Sequence, residues 1–100
     1  MEVRIAATSG LPSGKMIGIE NNGKAILVAN FNGAYYAIGN TCTHAGCTLS
    51  EGTLNGEKVR CPCHGSTFDI RTGKVLKGPA NDPEPSFNLR IDGDQILVSI

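Results

Sequence analysis

Met16-Ile17-Gly18-Ile19-Glu20-Asn21-Asn22-Gly23-Lys24-Ala25-Ile26-Leu27-Val28-Ala29-Asn30-Phe31-Asn32-Gly33-Ala34-Tyr35-Tyr36-Ala37-Ile38 reads as three strands joined by two tight turns. Met16 to Glu20 meets Lys24 to Phe31 across Asn21-Asn22-Gly23, a hairpin turn in which Gly readily supplies positive φ. Asn32-Gly33 turns the chain again, into Ala34 to Ile38. No stretch of a dozen residues keeps apolar positions at helical spacing, so an all-β fold is expected. Toward the N-terminus, Val3-Arg4-Ile5-Ala6 forms a further strand, closed by Ser9-Gly10-Leu11-Pro12-Ser13-Gly14. Toward the C-terminus, Phe87-Asn88-Leu89-Arg90-Ile91 and Gln95-Ile96-Leu97-Val98-Ser99 flank the turn Asp92-Gly93-Asp94. Residues 39–68 differ: they are rich in Cys, Gly, Thr and Ser, and read as a functional excursion from a β scaffold.

One hundred residues with 40% hydrophobic positions suit a single domain, 1–100, with one modest core, and exclude a multidomain enzyme. Nine basic and nine acidic residues give a net charge of zero, so no basic face for nucleic acid is expected. The apolar run Ala25 to Ala29 is far short of a membrane span. The opening Met1-Glu2-Val3-Arg4-Ile5 lacks the basic-then-apolar pattern of a signal peptide. A soluble, cytoplasmic monomer without membrane insertion is the expectation.

Every Cys and His falls in two windows, Cys42-Thr43-His44-Ala45-Gly46-Cys47 and Cys61-Pro62-Cys63-His64. Cysteines in an intracellular chain suggest metal or redox work before a structural framework. Each window offers a thiolate and an imidazole, as if two loops faced one another across a centre. A Rieske iron–sulfur centre requires such a set, because two Cys hold one iron and two His the other. The same residues could build a zinc-stabilised interaction module, although zinc ligands usually pair as Cys-x₂₋₄-Cys. A disulfide scaffold and thiol redox catalysis through Cys61-Pro62-Cys63 are further alternatives. A two-His, one-carboxylate oxygenase site is excluded, since the cluster would already use the only two His.

Cys-Thr-His-x-Gly-Cys followed by Cys-Pro-Cys-His-Gly-Ser resembles the double motif of Rieske proteins, and the chain length resembles that of small Rieske-type ferredoxins. The resemblance implies a small antiparallel sandwich- or barrel-like fold, with a cluster-binding subdomain inserted between strands. It implies a [2Fe-2S] cluster with Cys42 and Cys61 on the inner iron and His44 and His64 on the outer. Cys47 and Cys63 match the pair that forms a disulfide in high-potential members such as those of cytochrome bc complexes. Ferredoxins of ring-hydroxylating dioxygenases usually lack that pair, so the chain combines features of two subfamilies. Ser66 matches a serine whose hydroxyl donates to a bridging sulfide. Phe68 stands where the highest-potential members have Tyr, which implies a lower potential than theirs. Gly46 and Gly65 would let backbone approach the cluster, and Gly78-Pro79-Ala80 resembles the loop, about 78–85, that covers it from a third side. Tyr35 and Tyr36 are given no role. The implied function is one-electron transport between a reductase and an acceptor such as an oxygenase, with no catalysis of its own. With two thiolates rather than four, the oxidised centre is near neutral and takes an electron more readily.

Overall fold

The computed structural model describes residues 2–44 and 46–100; Met1, and Ala45 within the first Cys/His window, lie outside them. Among the described residues there are strands and two 3₁₀ turns but no α-helix. The strands are β1 (Glu2–Ala7), β2 (Met16–Asn21), β3 (Lys24–Phe31), β4 (Ala34–Gly39), β5 (Thr53–Asn55), β6 (Lys58–Arg60), β7 (Thr67–Asp69), β8 (Val75–Lys77), β9 (Ser86–Phe87), β10 (Leu89–Asp92) and β11 (Gln95–Ser99). They form three antiparallel sheets, ordered β1-β11-β10, β2-β3-β4-β9 and β5-β6-β7-β8. The third sheet is inserted between β4 and β9, which are neighbours in the second.

The two turns beside β3 form as their sequence demands. Asn22 and Asn32 sit at φ 51° and 53°, each followed by a glycine that is also left-handed, the pattern of two-residue hairpin loops. Strand β3 is buried continuously from Ile26 to Asn30 because both its faces are covered. Ile26 and Val28 pack with Leu11, Ala37, Ile96 and Val98 against the first sheet. Leu27 and Ala29 point the other way, into an apolar cluster with Ile38, Leu49, Val59, Phe68 and Ile70. That is why its sequence reads as an unbroken apolar run and not as an alternation. Asn30 closes the run without loss: its Nδ2 donates to Leu11 O at 2.8 Å and its Oδ1 accepts from Gly33 N at 2.8 Å.

Two expectations change in detail. Phe87 to Ile91 is not one strand: Ser86 and Phe87 pair with β4, while Leu89 to Asp92 pair with β11, so the chain changes sheets at Asn88. The excursion also contains regular structure, since β5 and β6 lie within 39–68, β7 begins inside it and β8 lies beyond it. Three-residue strands are too short to show a period, although Lys58 and Arg60 out with Val59 in is such an alternation. No helix of the described residues is long and apolar enough to cross a membrane.

Gly73, in the turn between β7 and β8, meets the segment that follows the inserted sheet: its carbonyl oxygen accepts from Glu84 N–H at 2.8 Å. It is left-handed at φ +81°, and a Cβ there would collide with the carbonyl oxygen of Glu84. Gly14 has φ +84° but open space around it. Gly14→Ala should therefore lower stability only by the left-handed strain, about 1–2 kcal/mol. Gly73→Ala adds a backbone collision and should lower it by about 3 kcal/mol or more, a fall in melting temperature of roughly 15 °C. Equal thermal melts for the two variants would contradict this close approach.

Candidate metal centre

Both Cys/His windows are loops that close on themselves. In the first, Asn40 anchors the base: its backbone carbonyl accepts from Leu49 N and its Oδ1 from Ser50 N, each at 2.8 Å. Thr41 and Thr48 then form an isolated bridge, Cys42 N–H donates to Cys47 O at 2.8 Å, and Gly46 N–H returns to Cys42 O at 2.9 Å. In the second, Cys61 N–H donates to Ser66 O at 2.7 Å. Gly46 and Gly65 are left-handed at φ +73° and +79°, so each has a local reason to be glycine.

The loops are joined by side chains. A disulfide links Cys47 and Cys63, whose Cα atoms are 6.4 Å apart. The rings of His44 and His64 meet edge to face, their centroids 5.4 Å apart, and both residues are exposed. Cys42 and Cys61 keep their thiols and are 2% and 1% exposed. Burial, and after it the neighbouring Cys42 thiol, push the Cys61 thiol up from its ordinary value. Among the described residues, the one close set of three donor atoms is the sulfurs of Cys47, Cys61 and Cys63, within 4.8 Å of one another. Two of these are already bonded together, and the set includes neither histidine. The donors thus divide into two buried thiols and two surface imidazoles, which suits a two-iron group better than a single tetrahedral ion.

A third segment closes the site. Ala80 N–H, just after Gly78-Pro79, donates to the buried Ser66 Oγ at 3.0 Å. Ser66 therefore uses an oxygen lone pair here and keeps its own hydroxyl proton to donate. Thr43 Oγ1 donates to Asp82 O at 2.7 Å. Phe68 lies in the same apolar cluster as Cys42 and Cys61 and offers no donor. Tyr35 and Tyr36 are partly buried against the two cores.

Glu84 and Thr43 escaped the sequence reading. Glu84 is 4% exposed, and its Oε2 has no hydrogen-bond partner. Burial raises its carboxyl to about 7, against a smaller opposing effect from the Thr43 backbone N–H. Asp69 is the contrast: burial alone would raise it, but the Arg71 side chain and backbone N–H together hold it below the usual range. In sequence, Asp82-Pro83-Glu84-Pro85 has the composition of an exposed loop, and nothing in it marks one acid as buried.

Residues 1–89 match the Rieske [2Fe-2S] domain family. The ferredoxin component of biphenyl 2,3-dioxygenase from Rhodococcus jostii (strain RHA1) is 37% identical, over 97% of this chain and 91% of its own. The ferredoxin of carbazole 1,9a-dioxygenase from Nocardioides aromaticivorans IC177 superposes with a TM-score of 0.93 at 32% identity, covering 98% of this chain and 96% of its own. The cytochrome b6-f complex iron-sulfur subunit of Chlorobaculum thiosulfatiphilum is 33% identical over 98% of this chain but only 53% of its own. With its fold and paired loops, the chain belongs to the Rieske [2Fe-2S] domain family and is an electron carrier of the ferredoxin kind. Its cofactor is a Rieske-type [2Fe-2S] cluster, which sets the zinc module aside.

The disulfide and Glu84 each give a measurable expectation. The Cys47–Cys63 bond spans 16 positions, for which the chain-entropy model gives about 3 kcal/mol. Cys47→Ser should thus lower the melting temperature by roughly 15 °C; an unchanged melt would leave the clamp without a stabilising role. For Glu84, the folded value of about 7 lies above the ordinary 4.5. Between about pH 4.5 and pH 7 the folded chain holds a proton that the unfolded chain has released, so stability falls as pH rises through that window. Glu84→Gln should remove up to about 3 kcal/mol of that dependence, read as the difference between urea melts at the two ends of the window. Parallel pH profiles for the two proteins would refute the raised carboxyl.

Proposed function

We propose that this chain carries single electrons from a reductase to an oxygenase component in the cytoplasm, acting as a monomer. Cys42 and Cys61 hold one iron of its cluster and His44 and His64 the other. The observation that carries the assignment is the division of the donors: two thiols buried at 2% and 1%, and two exposed imidazoles brought together from opposite loops. When bound, the cluster supplies a one-electron couple.

The chain's own residues do the rest. The buried thiols keep their end away from water, and the histidines put theirs at the surface, where a partner protein can approach. Ser66 is held by Ala80 N–H with its hydroxyl proton available to a sulfide. Phe68 withholds the donor that a tyrosine would offer, which lowers the potential relative to a chain with Tyr there. The oxygenase acceptor follows from the relatives, two of which are named as ferredoxins of dioxygenase systems.

Electron paramagnetic resonance of the reduced protein tests the assignment. Ala at Cys42, Cys61, His44 or His64 should each abolish the Rieske signal, whereas Ser at Cys47 or Cys63 should retain it on a less stable protein. A full Rieske signal from Cys42→Ala would overturn the ligand set. Anaerobic titration should take up a single electron per chain, and a two-electron uptake would overturn the carrier reading.

A further inference from the structure

Among the described residues, one buried side-chain oxygen has no hydrogen-bond partner, and it belongs to Glu84. Its backbone is fixed on two sides. Glu84 N–H donates to Gly73 O at 2.8 Å, and the next residue, Pro85, accepts from Gly39 N–H at 2.9 Å. The carboxyl packs so closely over Gly39 that a Cβ there would collide with its Oε1. The backbone N–H of Thr43, the residue between Cys42 and His44, faces this carboxyl and favours its charged form. The Thr43 hydroxyl is bound by the same segment, through Asp82 O. A buried carboxyl with one oxygen unpartnered is costly, and a leucine of similar volume would fill the space without that penalty. Packing alone therefore gives no reason for an acid here, whereas a hydrogen bond to the first loop does.

We infer that Glu84 is a positioning residue for the cluster: by accepting the Thr43 N–H it fixes the peptide between Cys42 and His44, and so the placement of one thiol and one imidazole. This rests on the ligand assignment proposed above.

The test compares Glu84→Leu, which keeps the volume and loses the acceptor, with Glu84→Gln, which keeps an acceptor oxygen. Ile96→Ala, in the core between the other two sheets, controls for lost stability. Three quantities are read: the g-values, the midpoint potential, and deuterium exchange of residues 40–49. Potentials are measured at about pH 5.5, below the carboxyl's value of about 7, so that Glu and Gln are compared uncharged. Glu84→Leu should move the g-values, speed exchange in the loop, and change the oxidised-to-reduced ratio at fixed potential by about tenfold, which is about 59 mV. Glu84→Gln should stay close to the wild type in all three. Ile96→Ala should melt earlier with unchanged g-values. The inference is overturned if Glu84→Leu matches the wild type, or if Glu84→Gln departs as far as Glu84→Leu. Should Glu84→Leu take up no cluster, exchange decides: equal loop exchange in the Leu and Gln variants overturns it. A wild-type protein without a Rieske signal would instead break the ligand assignment, and is recognised before any variant is compared.

Discussion

The Cys47–Cys63 bond is the covalent constraint that holds the two loops of the centre together. Each loop bonds its own backbone, through Cys42 with Cys47 and Cys61 with Ser66, and among the described residues no backbone hydrogen bond joins one loop to the other. A small domain has only a few kcal/mol of net stability, and two glycine-containing loops are expensive to order. A covalent link removes much of that freedom from the unfolded chain and leaves the folded loops little room to separate. The edge-to-face contact of His44 and His64 acts across this clamp. Loops held in one arrangement also need to reorganise less when charge arrives.

The polar groups beneath the loops complete the clamp. Asn40 ties the first loop to the turn after it, Ser66 ties the second to Ala80, and Thr43 ties the first to Asp82. The segment after Pro79 thus bonds to both loops, and its connections are ones that apolar packing could not make directional. Phe68 and Leu49 supply the apolar floor on which the buried thiols rest.

Much of this was legible in the chain. Strands β2, β3 and β4 could be read because each meets its neighbour across a two-residue turn whose residues declare themselves. The cluster windows could be read because ligand chemistry requires particular residue types within a few positions. The sheet change at Asn88 could not, since a period-two pattern continues unchanged when a strand finds a new partner. Strands β5 to β8 were hidden by their length. Glu84 was hidden for another reason: its carboxyl packs over Gly39 and its backbone carbonyl over Gly73, distant in sequence and notable only for lacking a side chain.

The excursion from the second sheet leaves at Gly39 and returns at Pro85, and these two residues are hydrogen-bonded to one another. To the scaffold, everything between them is a hairpin connection whose ends already touch. Closing such a connection depends weakly on its length, about 0.6 kcal/mol for each doubling. The cluster lobe is therefore a cassette. It can be lengthened, trimmed or exchanged for another lobe while the pairing of β4 with β9 gives the replacement the same two points of attachment.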